Sequence, residues 1–377
     1  MEPYNVEIFD RAFNFIHNYT VSRPDYKYDY LSPQENSIII SFNKNVKIGQ
    51  YIRIYNDLGK YEGVISATQA INGDFMEVRF KPLTEIINHI MYVDTLTMGT
   101  YAHATPLETI ICNELTNFYI NGITSTFLSS QYQYPADNAQ KIQGFTLTKL
   151  TTTSNWALDL ERNVLDTNGN TTEYWRGNLQ DILVDAMKVY KIGAYMSLDI
   201  TNKKVYCSVG VKSLSTVRKI ESDLPNVLKR NVVLSEVTDI PNKVLLYLRT
   251  MYNPSDKPIY YRHSDNSWST SNTDRLTPVI EDIWSYGDVQ STMSTDAEIQ
   301  TTLAAKYKTT ENTNLIELTL TRGDDTYKGL QIGDIVQVIV GDTEYTSMFT
   351  GYEETDTMKL IFGMLRMDIT KIIGRTK

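Results

Sequence analysis

The chain has few cysteines, more acidic than basic residues, and short apolar runs. Its 2 cysteines in 377 residues cannot form a disulfide framework, so Cys112 and Cys207 are expected to be reduced thiols in a chain folded in a reducing cytoplasm. The net charge of −9 argues against a nucleic-acid-binding surface, because such a surface needs clustered Lys and Arg. This charge still permits nucleic acid to pass without binding.

Long apolar segments are lacking as well. One of the most apolar windows, residues 86–93, is interrupted by Asn88 and His89, and no window approaches the roughly 20 apolar residues that a membrane-spanning helix needs. The first four residues form neither a basic nor an apolar segment, so we expect no secretory signal. The sequence therefore predicts no membrane span.

Recognisable catalytic and metal-binding motifs are lacking too. No histidine stands in a metal-ligand spacing, and no nucleophile elbow, phosphate-binding loop or dinucleotide fingerprint is present. Residues 166–170 resemble the start of a calcium loop, but Thr171 and Gly177 stand where that loop needs Gly and Glu, which favours a polar β-turn. The sequence predicts no enzyme, no metal site and no cofactor. A weak calcium site and a carboxylate pair for polysaccharide hydrolysis stay open as alternatives.

Aromatic residues, by contrast, are plentiful, with 26 Tyr against 11 Phe. Tyr suits strands, and its apolar ring and polar hydroxyl suit partly hydrated interfaces, so the composition predicts a β-rich chain with large contact surfaces. Trp156, Trp175, Trp268 and Trp284 leave a carbohydrate-binding groove open as a second interpretation. The same tryptophans are equally compatible with domain cores and interfaces.

One pattern occurs twice and organises the chain. A turn at Ile48-Gly49, followed by a strand with alternating apolar residues, recurs at Ile332-Gly333, an offset of 284 residues (332 minus 48). At the same offset Tyr61 corresponds to Tyr345. With the next turn shortened by two residues in the second copy, the corresponding pairs are Met76 and Met358, Val78 and Leu360, Phe80 and Phe362, and Leu83 and Leu365. Because apolar residues stand at corresponding positions of three successive strands in both copies, the pattern predicts two related small β-barrels.

A change from strand to helix patterning marks a boundary near residue 105. Thr105 as N-cap, Pro106 in the first turn and Glu108 as the partner in a capping box predict a helix, and further helices are predicted after Asn178 and from Thr295. The predicted class is α+β, β-rich and multidomain, with two related small β-barrels, an inserted α+β domain and a further insertion in the second barrel. The predicted domains are the first barrel at 1–104, completed by about 200–240, the α+β domain at 105–199, the second barrel at 241–252 and 313–377, and an inserted distal domain at 253–312.

Both ends of the chain resemble one protein family. Residues 4–10 are similar to the opening of siphophage baseplate hub proteins, the tail-associated family of phages that infect Gram-positive bacteria, and residues 333–336 and 360–371 are similar to its closing part. The order of barrel, helix-led α+β block, returning strands and interrupted second barrel resembles that family over the whole chain. Lactococcal phage hubs are the type that the pattern most resembles, and the family shares its fold with the hubs of contractile-tailed phages.

The resemblance implies a structural, non-enzymatic virion protein of the tail baseplate, synthesised in the host bacterial cytoplasm. It implies a homotrimer whose two barrels per subunit form a pseudo-sixfold ring on a hexameric distal tail protein. It also implies receptor-binding and tape measure proteins as neighbours. The trimer would close the tail tube and open for DNA release.

The acidic net charge is expected to let DNA pass through the trimer without specific binding. Ile48, Gly49, Tyr61, Ile332, Gly333 and Tyr345 are the predicted site residues, as turns and strand positions of the two hub barrels. A carbohydrate-binding host-adhesion protein and a cell-wall polysaccharide hydrolase are the alternative functions.

Overall fold

A computed structural model gives the fold. It describes residues 3–22, 24–57, 59–88, 90–93, 105–122, 127–129, 132–133, 141–156, 162–167, 170–213, 218–234, 241–247, 259–277, 279–285, 296–307 and 314–364. Strands dominate these ranges, and three α-helices accompany them. The predicted β-rich α+β class is confirmed, with two curled half-barrel sheets as its main elements.

The N-terminal strands build the first curled sheet, called sheet 1. They are β1 (Tyr4–Phe9), β2 (Phe15–Val21), β3 (Tyr26–Asp29), β4 (Asn36–Ser41), β5 (Tyr51–Tyr55), β6 (Lys60–Ile71) and β7 (Phe75–Pro82). Sheet 1 has the order β2-β1-β5-β6-β7-β4, and β3 lies outside it. Along β4, Ile38 and Ile40 face the core whereas Ile39 faces outward, as period-two alternation requires. A 3₁₀-helix, Leu83–Ile87, follows β7.

The α+β part follows sheet 1. Its elements are β8 (Ile90–Val93), α1 (Leu107–Leu115) with a π-helical extension (Thr116–Ile120), β9 (Phe127–Ser129), β10 (Tyr132–Gln133), β11 (Phe145–Lys149), β12 (Arg162–Thr167), β13 (Asn170–Asn178), α2 (Leu179–Tyr190), β14 (Gly193–Asp199) and β15 (Lys204–Gly210). The strands pair as β10-β9, β11-β15-β14 and β12-β13-β8. The helices predicted after Pro106 and Asn178 are confirmed, and Ile111 and Ile182 are fully buried in their common core.

The start of α1 differs from the predicted capping box. Pro106 precedes the first helical residue, and no side chain caps the helix. The carboxylate of Glu108 instead accepts hydrogen bonds from Thr151 Oγ1 at 2.7 Å and from Thr153 N and Oγ1, both at 2.8 Å. Burial raises the pKa of Glu108, but these hydrogen bonds outweigh it and hold the pKa below its usual range. The side chain therefore joins α1 to the segment that follows β11.

We expect Glu108→Gln to destabilise the protein by about 1.5–3 kcal/mol near pH 7, the usual contribution of hydrogen bonds to a charged group. Because the folded-state pKa is depressed, this contribution is present above the unfolded-state pKa, about 4.3. It is lost as the pH falls through the folded-state pKa. Thermal unfolding midpoints of wild type and variant from pH 7 to pH 3 measure it. The two midpoints should converge at low pH, and a gap that stays constant over this range would contradict the assignment.

Seven elements lie between the α+β part and the last strands. They are β16 (Arg218–Glu221), β17 (Val227–Leu234), β18 (Lys243–Tyr247), β19 (Ile259–Arg262), β20 (Trp268–Ser269), β21 (Glu281–Ser285) and α3 (Asp296–Lys306), of which the last five form an insertion. The predicted start of the third helix at Thr295 lies outside the described residues. Strands β20-β19-β18-β21 form a separate sheet, on which Leu303 of α3 packs. The assignment of 241–252 to the second barrel is therefore wrong for β18, because Val244 and Leu246 are buried in the core of the insertion.

The last described strands build the second curled sheet, called sheet 2. Its own strands are β22 (Asn314–Thr321), β23 (Ile335–Val340), β24 (Thr343–Glu354) and β25 (Thr357–Gly363), with a 3₁₀-helix (Asp325–Tyr327) between the first two. The order is β16-β23-β24-β25-β22-β17. The expectation that residues 200–240 complete the first barrel is therefore wrong. Ile220 of β16 is buried in the core of sheet 2, and Val232 of β17 packs against the same core.

Candidate functional site: the two glycine turns and the junction between the sheets

The turns at Gly49 and Gly333 have the same backbone geometry. Their φ angles are 85° and 88°, in the left-handed region that favours glycine. Gly49 N donates to Ile65 O at 2.8 Å, and Gly333 N donates to Phe349 O at 2.8 Å. The return bonds, from Ile65 N to Gln50 O at 2.9 Å and from Phe349 N to Asp334 O at 2.8 Å, also match.

The same register continues into the following strands. In sheet 1 the β6–β7 ladder has a bulge between Ile65 and Ala67, and in sheet 2 the β24–β25 ladder has one between Phe349 and Gly351. Across the ladder, Ile65 pairs with Phe80 and Phe349 pairs with Phe362. The order β5-β6-β7-β4 therefore matches β23-β24-β25-β22 strand for strand, with every pair antiparallel.

The surroundings of the two turns differ. Ile48 is 66% exposed, whereas Ile332 is buried. A Cβ added at Gly49 would meet only Arg11 atoms at 4.0 Å, but one added at Gly333 would lie 2.1 Å from Cε1 of Tyr195. The first turn is therefore open, while the second is covered by the α+β domain.

The tyrosines at corresponding positions lie in different cores. Tyr61 is buried in the core of sheet 1, where burial raises its pKa well above the ordinary value and Asn36 Nδ2 donates to its hydroxyl at 3.4 Å. Tyr345 packs, half-buried, against the core of sheet 2. The predicted site residues thus form two separate groups, Ile48 with Gly49 and Tyr61 in sheet 1, and Ile332 with Gly333 and Tyr345 in sheet 2.

An open groove of about 1100 Å³ lies beside the Gly333 turn, between β14 and β15 on one side and residues 328–336 on the other. Lys212 Nζ lies 3.1 Å from Asp334 Oδ1 and 4.7 Å from the centre of the Tyr195 ring. Asp334 is the single acidic residue among the described residues that line the groove. Hydrolysis by paired carboxylates needs two such groups, so the groove does not supply that chemistry.

The two sheets are joined by β3, which belongs by chain order to the region of sheet 1. Strand β3 pairs antiparallel with the end of β24, from Gly351 opposite Asp29 to Glu354 opposite Tyr26. Tyrosine rings surround this joint, with the Tyr26 ring centre 5.4 Å from that of Tyr61 and 6.0 Å from that of Tyr352. The tyrosine-rich composition thus supplies a contact between the two sheets.

A buried ion pair lies at the same joint. Arg322 Nε donates to Glu354 Oε1 at 3.0 Å, and the two side chains are only 2% and 3% exposed. The other guanidinium nitrogens of Arg322 donate to the carbonyl oxygens of Thr355 at 2.7 Å and Pro24 at 3.0 Å. Tyr4 Oη donates to the same oxygen of Glu354, and burial together with this bond raises the pKa of Tyr4. This cluster therefore links β1, the segment before β3, the turn after β22, and β24.

The ion pair had no signal in the sequence. Arg322 and Gly323 form a turn after β22, and Asp324 caps the following 3₁₀-helix by accepting from Thr326 N at 2.7 Å. Arg322 is separated from Glu354 by 32 residues, and neither residue stands in a motif. Their contact follows from the pairing of β22, β25 and β24, which places both residues at one end of sheet 2.

Two of the four tryptophans are core residues. Trp156 and Trp268 are buried in two different cores, and Trp156 Nε1 donates to Thr105 O at 2.8 Å. Of the two interpretations of the tryptophans, these two residues fit the domain-core one. The side chains of Trp175 and Trp284 lie outside the described residues.

The described ranges contain no group of three or more His, Cys, Asp or Glu placed to hold a metal ion. They also contain no helix that is long and apolar enough to cross a membrane. Residues 168 and 169, at the centre of the calcium-loop alternative, lie outside these ranges, and the flanking Thr167 and Asn170 pair as the ends of a β-hairpin.

Comparison with known proteins identifies structural neighbours. No family model and no curated protein matches the chain. Among solved structures, the chain is similar to the 43 kDa tail protein of prophage MuSo2 from Shewanella oneidensis, with 11% identity, a TM-score of 0.49, and 97% of this chain and 98% of that chain covered. It is also similar to a chain of the phage P2 baseplate in its activated conformation with Ca, with 9% identity, a TM-score of 0.44, and 97% and 100% covered.

A third neighbour is prophage tail protein gp18 from Listeria monocytogenes, with 10% identity, a TM-score of 0.42, and 98% of this chain and 97% of that chain covered. The structural neighbours of the chain are thus phage tail and baseplate proteins. The resemblance stated from the sequence agrees with them, and the lactococcal type stays a prediction.

Proposed function

We propose that this chain is a structural hub protein of a phage tail baseplate. In this proposal it assembles as a homotrimer, docks on a hexameric ring of a distal tail protein, closes the end of the tail tube, and opens for DNA release. It acts without catalysis or a cofactor, and receptor-binding and tape measure proteins are its further neighbours. Its place is the virion, after synthesis in the host bacterial cytoplasm.

The observation that carries the proposal is the duplication of one four-stranded sheet within the chain. Sheet 1 and sheet 2 share strand order, register, bulge and glycine turn. Three copies of such a chain present six related sheets, and six related sheets can each make a comparable contact with a sixfold ring. A chain with only one such sheet would need six copies to make six comparable contacts with the ring.

The domains that go with this proposal follow the strand pairing. The first hub domain is about residues 1–88 and the α+β domain is about 90–210, while the second hub domain includes 218–234 and 313–377, and the inserted distal domain includes 241–312. The turns at Gly49 and Gly333 are equivalent points of the two hub domains. The acidic net charge of −9 suits a tube lining that lets DNA pass.

Labelling of purified phage particles with an antibody raised against the full chain tests the location. We expect the label at the tail end distal to the capsid in electron micrographs, one cluster per particle. Label along the tube, on the capsid, or only in the unassembled fraction of the lysate would overturn the proposal. A preimmune serum on the same particles serves as the control.

A further inference from the structure

The three-stranded sheet β11-β15-β14 of the α+β domain has one face of hydroxyl groups. Its other face is apolar, with Leu198, Val205 and Cys207 buried in the domain core. Because side chains alternate between the two faces of a sheet, the residues between these point away from the core. They form two rows across the strands, Thr146-Tyr206-Ser197 and Thr148-Ser208-Tyr195. All six side chains in these rows carry a hydroxyl group.

The hydroxyl face forms one wall of the open groove beside the Gly333 turn. Tyr206 and Ser208 of β15 line the groove together with Tyr195 and Ser197 of β14, opposite residues 328–336. The volume of about 1100 Å³ is slightly above the range of roughly 300–1,000 Å³ that is usual for small-molecule sites. The groove is therefore large enough for several units of a chain-like ligand.

The charges in this groove nearly cancel. Lys212 Nζ lies 3.1 Å from Asp334 Oδ1 and 3.5 Å from Gln331 Oε1. Lys328 is the one further charged residue among the described residues that line the groove. An anionic polymer is held by clustered Lys and Arg, and one ion pair with one additional lysine does not form such a cluster. The lining thus favours an uncharged polar ligand.

Side chains from the N-terminal part of the chain occupy the backbone edge of β14. Tyr30 Oη accepts a hydrogen bond from Ala194 N at 2.8 Å, and Glu62 Oε2 accepts one from Leu198 N at 3.0 Å. Arg53 Nη2 donates to Leu198 O at 2.8 Å. A peptide that binds by strand addition needs these main-chain groups, so it cannot add along β14. Recognition in the groove falls to the side-chain hydroxyls instead.

The hydroxyl of Tyr195 has a particular place in the groove. Its Oη is buried without a hydrogen-bond partner among the described residues, and a Cβ added at Gly333 would lie 2.5 Å from it. A buried hydroxyl without a partner costs free energy, which a polar ligand can offset. Burial and the nearby Asp334 raise the pKa of Tyr195, so the hydroxyl stays protonated and can donate.

We propose that this groove binds an uncharged glycan along its hydroxyl face. Each hydroxyl of Ser, Thr or Tyr can both donate and accept a hydrogen bond, as each hydroxyl of a sugar can. The half-buried ring of Tyr206 adds an apolar surface for the C–H face of a sugar ring. The site lies in the α+β domain and does not depend on the proposed hub function.

Binding of the full chain to immobilised glycans tests the class of ligand. The probes are neutral oligosaccharides of glucose, galactose and N-acetylglucosamine, with poly(glycerol phosphate) as the anionic comparison. We expect binding to a neutral oligosaccharide that persists from about 50 mM to about 200 mM salt, because no counterions are released. Binding only to poly(glycerol phosphate), weakened by salt, would overturn the proposal. Binding to none of these probes would overturn it too.

A double substitution tests the location. Ser197→Ala with Ser208→Ala removes two hydroxyls from the groove without adding bulk, and we expect affinity for the neutral oligosaccharide to fall at least about tenfold by calorimetry. Ser37→Ala with Ser41→Ala, at exposed positions of β4, is the matched control and should bind as wild type does. Both variants should keep the wild-type unfolding midpoint. Equal affinity of all three proteins would contradict the assignment to this groove.

The outcomes separate this inference from the proposed function. A chain that binds a neutral glycan through Ser197 and Ser208 but is absent from the distal tail end supports the glycan site and overturns the hub function. A chain that is found at the tail end but binds no neutral glycan supports the hub function and overturns the glycan site.

Discussion

Arg322→Leu is expected to lower the free energy of unfolding by about 3–5 kcal/mol, because it leaves Glu354 as a buried carboxylate without its cation. Glu354 is 3% exposed and accepts from both Arg322 and Tyr4, so water cannot replace the lost guanidinium without opening the joint between the sheets. The substitution also removes donors from the carbonyls of Thr355 and Pro24. The loss should appear as a lower unfolding midpoint in calorimetry and in urea.

Arg230→Leu is the matched control. Arg230 pairs with Asp223, and the two side chains are 51% and 55% exposed, so its loss should cost less than about 1 kcal/mol. The double variant Arg322→Leu with Glu354→Leu removes both charges and should recover much of the loss of Arg322→Leu. Equal midpoints for Arg322→Leu and Arg230→Leu would show that the buried pair does not hold the joint.

Gly333→Ala is expected to cost about 2–5 kcal/mol, whereas Gly49→Ala costs about 1–2 kcal/mol. Both substitutions force a Cβ into the left-handed region, at φ of 88° and 85°. Only at Gly333 does the new atom also meet the Tyr195 ring, at 2.1 Å. That ring lies under Lys212 and beside Tyr30, at 6.3 Å between ring centres, so displacing it disrupts these contacts as well.

Tyr195→Ala separates the backbone strain at Gly333 from the clash with the Tyr195 ring. In a Tyr195→Ala background, the cost of Gly333→Ala should fall to that of Gly49→Ala, because only the backbone strain is left. Unfolding midpoints of Gly333→Ala and Gly49→Ala against wild type, and of Gly333→Ala with Tyr195→Ala against Tyr195→Ala alone, measure this difference. If Gly333→Ala and Gly49→Ala lowered the free energy of unfolding equally in the wild-type background, the Tyr195 ring would have to move aside without loss of stability. The α+β domain would then not constrain the second turn.

Local patterns in the sequence predicted the strands of the repeat well. The alternation at Ile38 and Ile40 depends only on residues close together in the chain, and so do the glycine turns at Gly49 and Gly333. The sequence alone therefore shows which strand residues face the core and where the turns lie. The helix at Leu107 follows from the same kind of local signal, although its Glu108 contacts a distant segment.

The partners of the strands were not predictable in this way. Alternation shows which face of a strand is buried but not which strand lies beside it. Strands β16 and β17 were therefore assigned to the wrong barrel, and β18 was assigned to the second barrel instead of the insertion. The pairing of β3 with β24, on which the joint between the sheets depends, joins residues more than 300 positions apart and has no local signal.

The central claim is that two related sheets in one chain let three copies match a sixfold ring. The most direct test is the stoichiometry of the full chain bound to a hexameric distal tail protein, measured by native mass spectrometry of the purified complex. Each copy of this chain adds 43.2 kDa. The account predicts three copies on a ring of six. A complex with six copies of this chain, or with one, would contradict it.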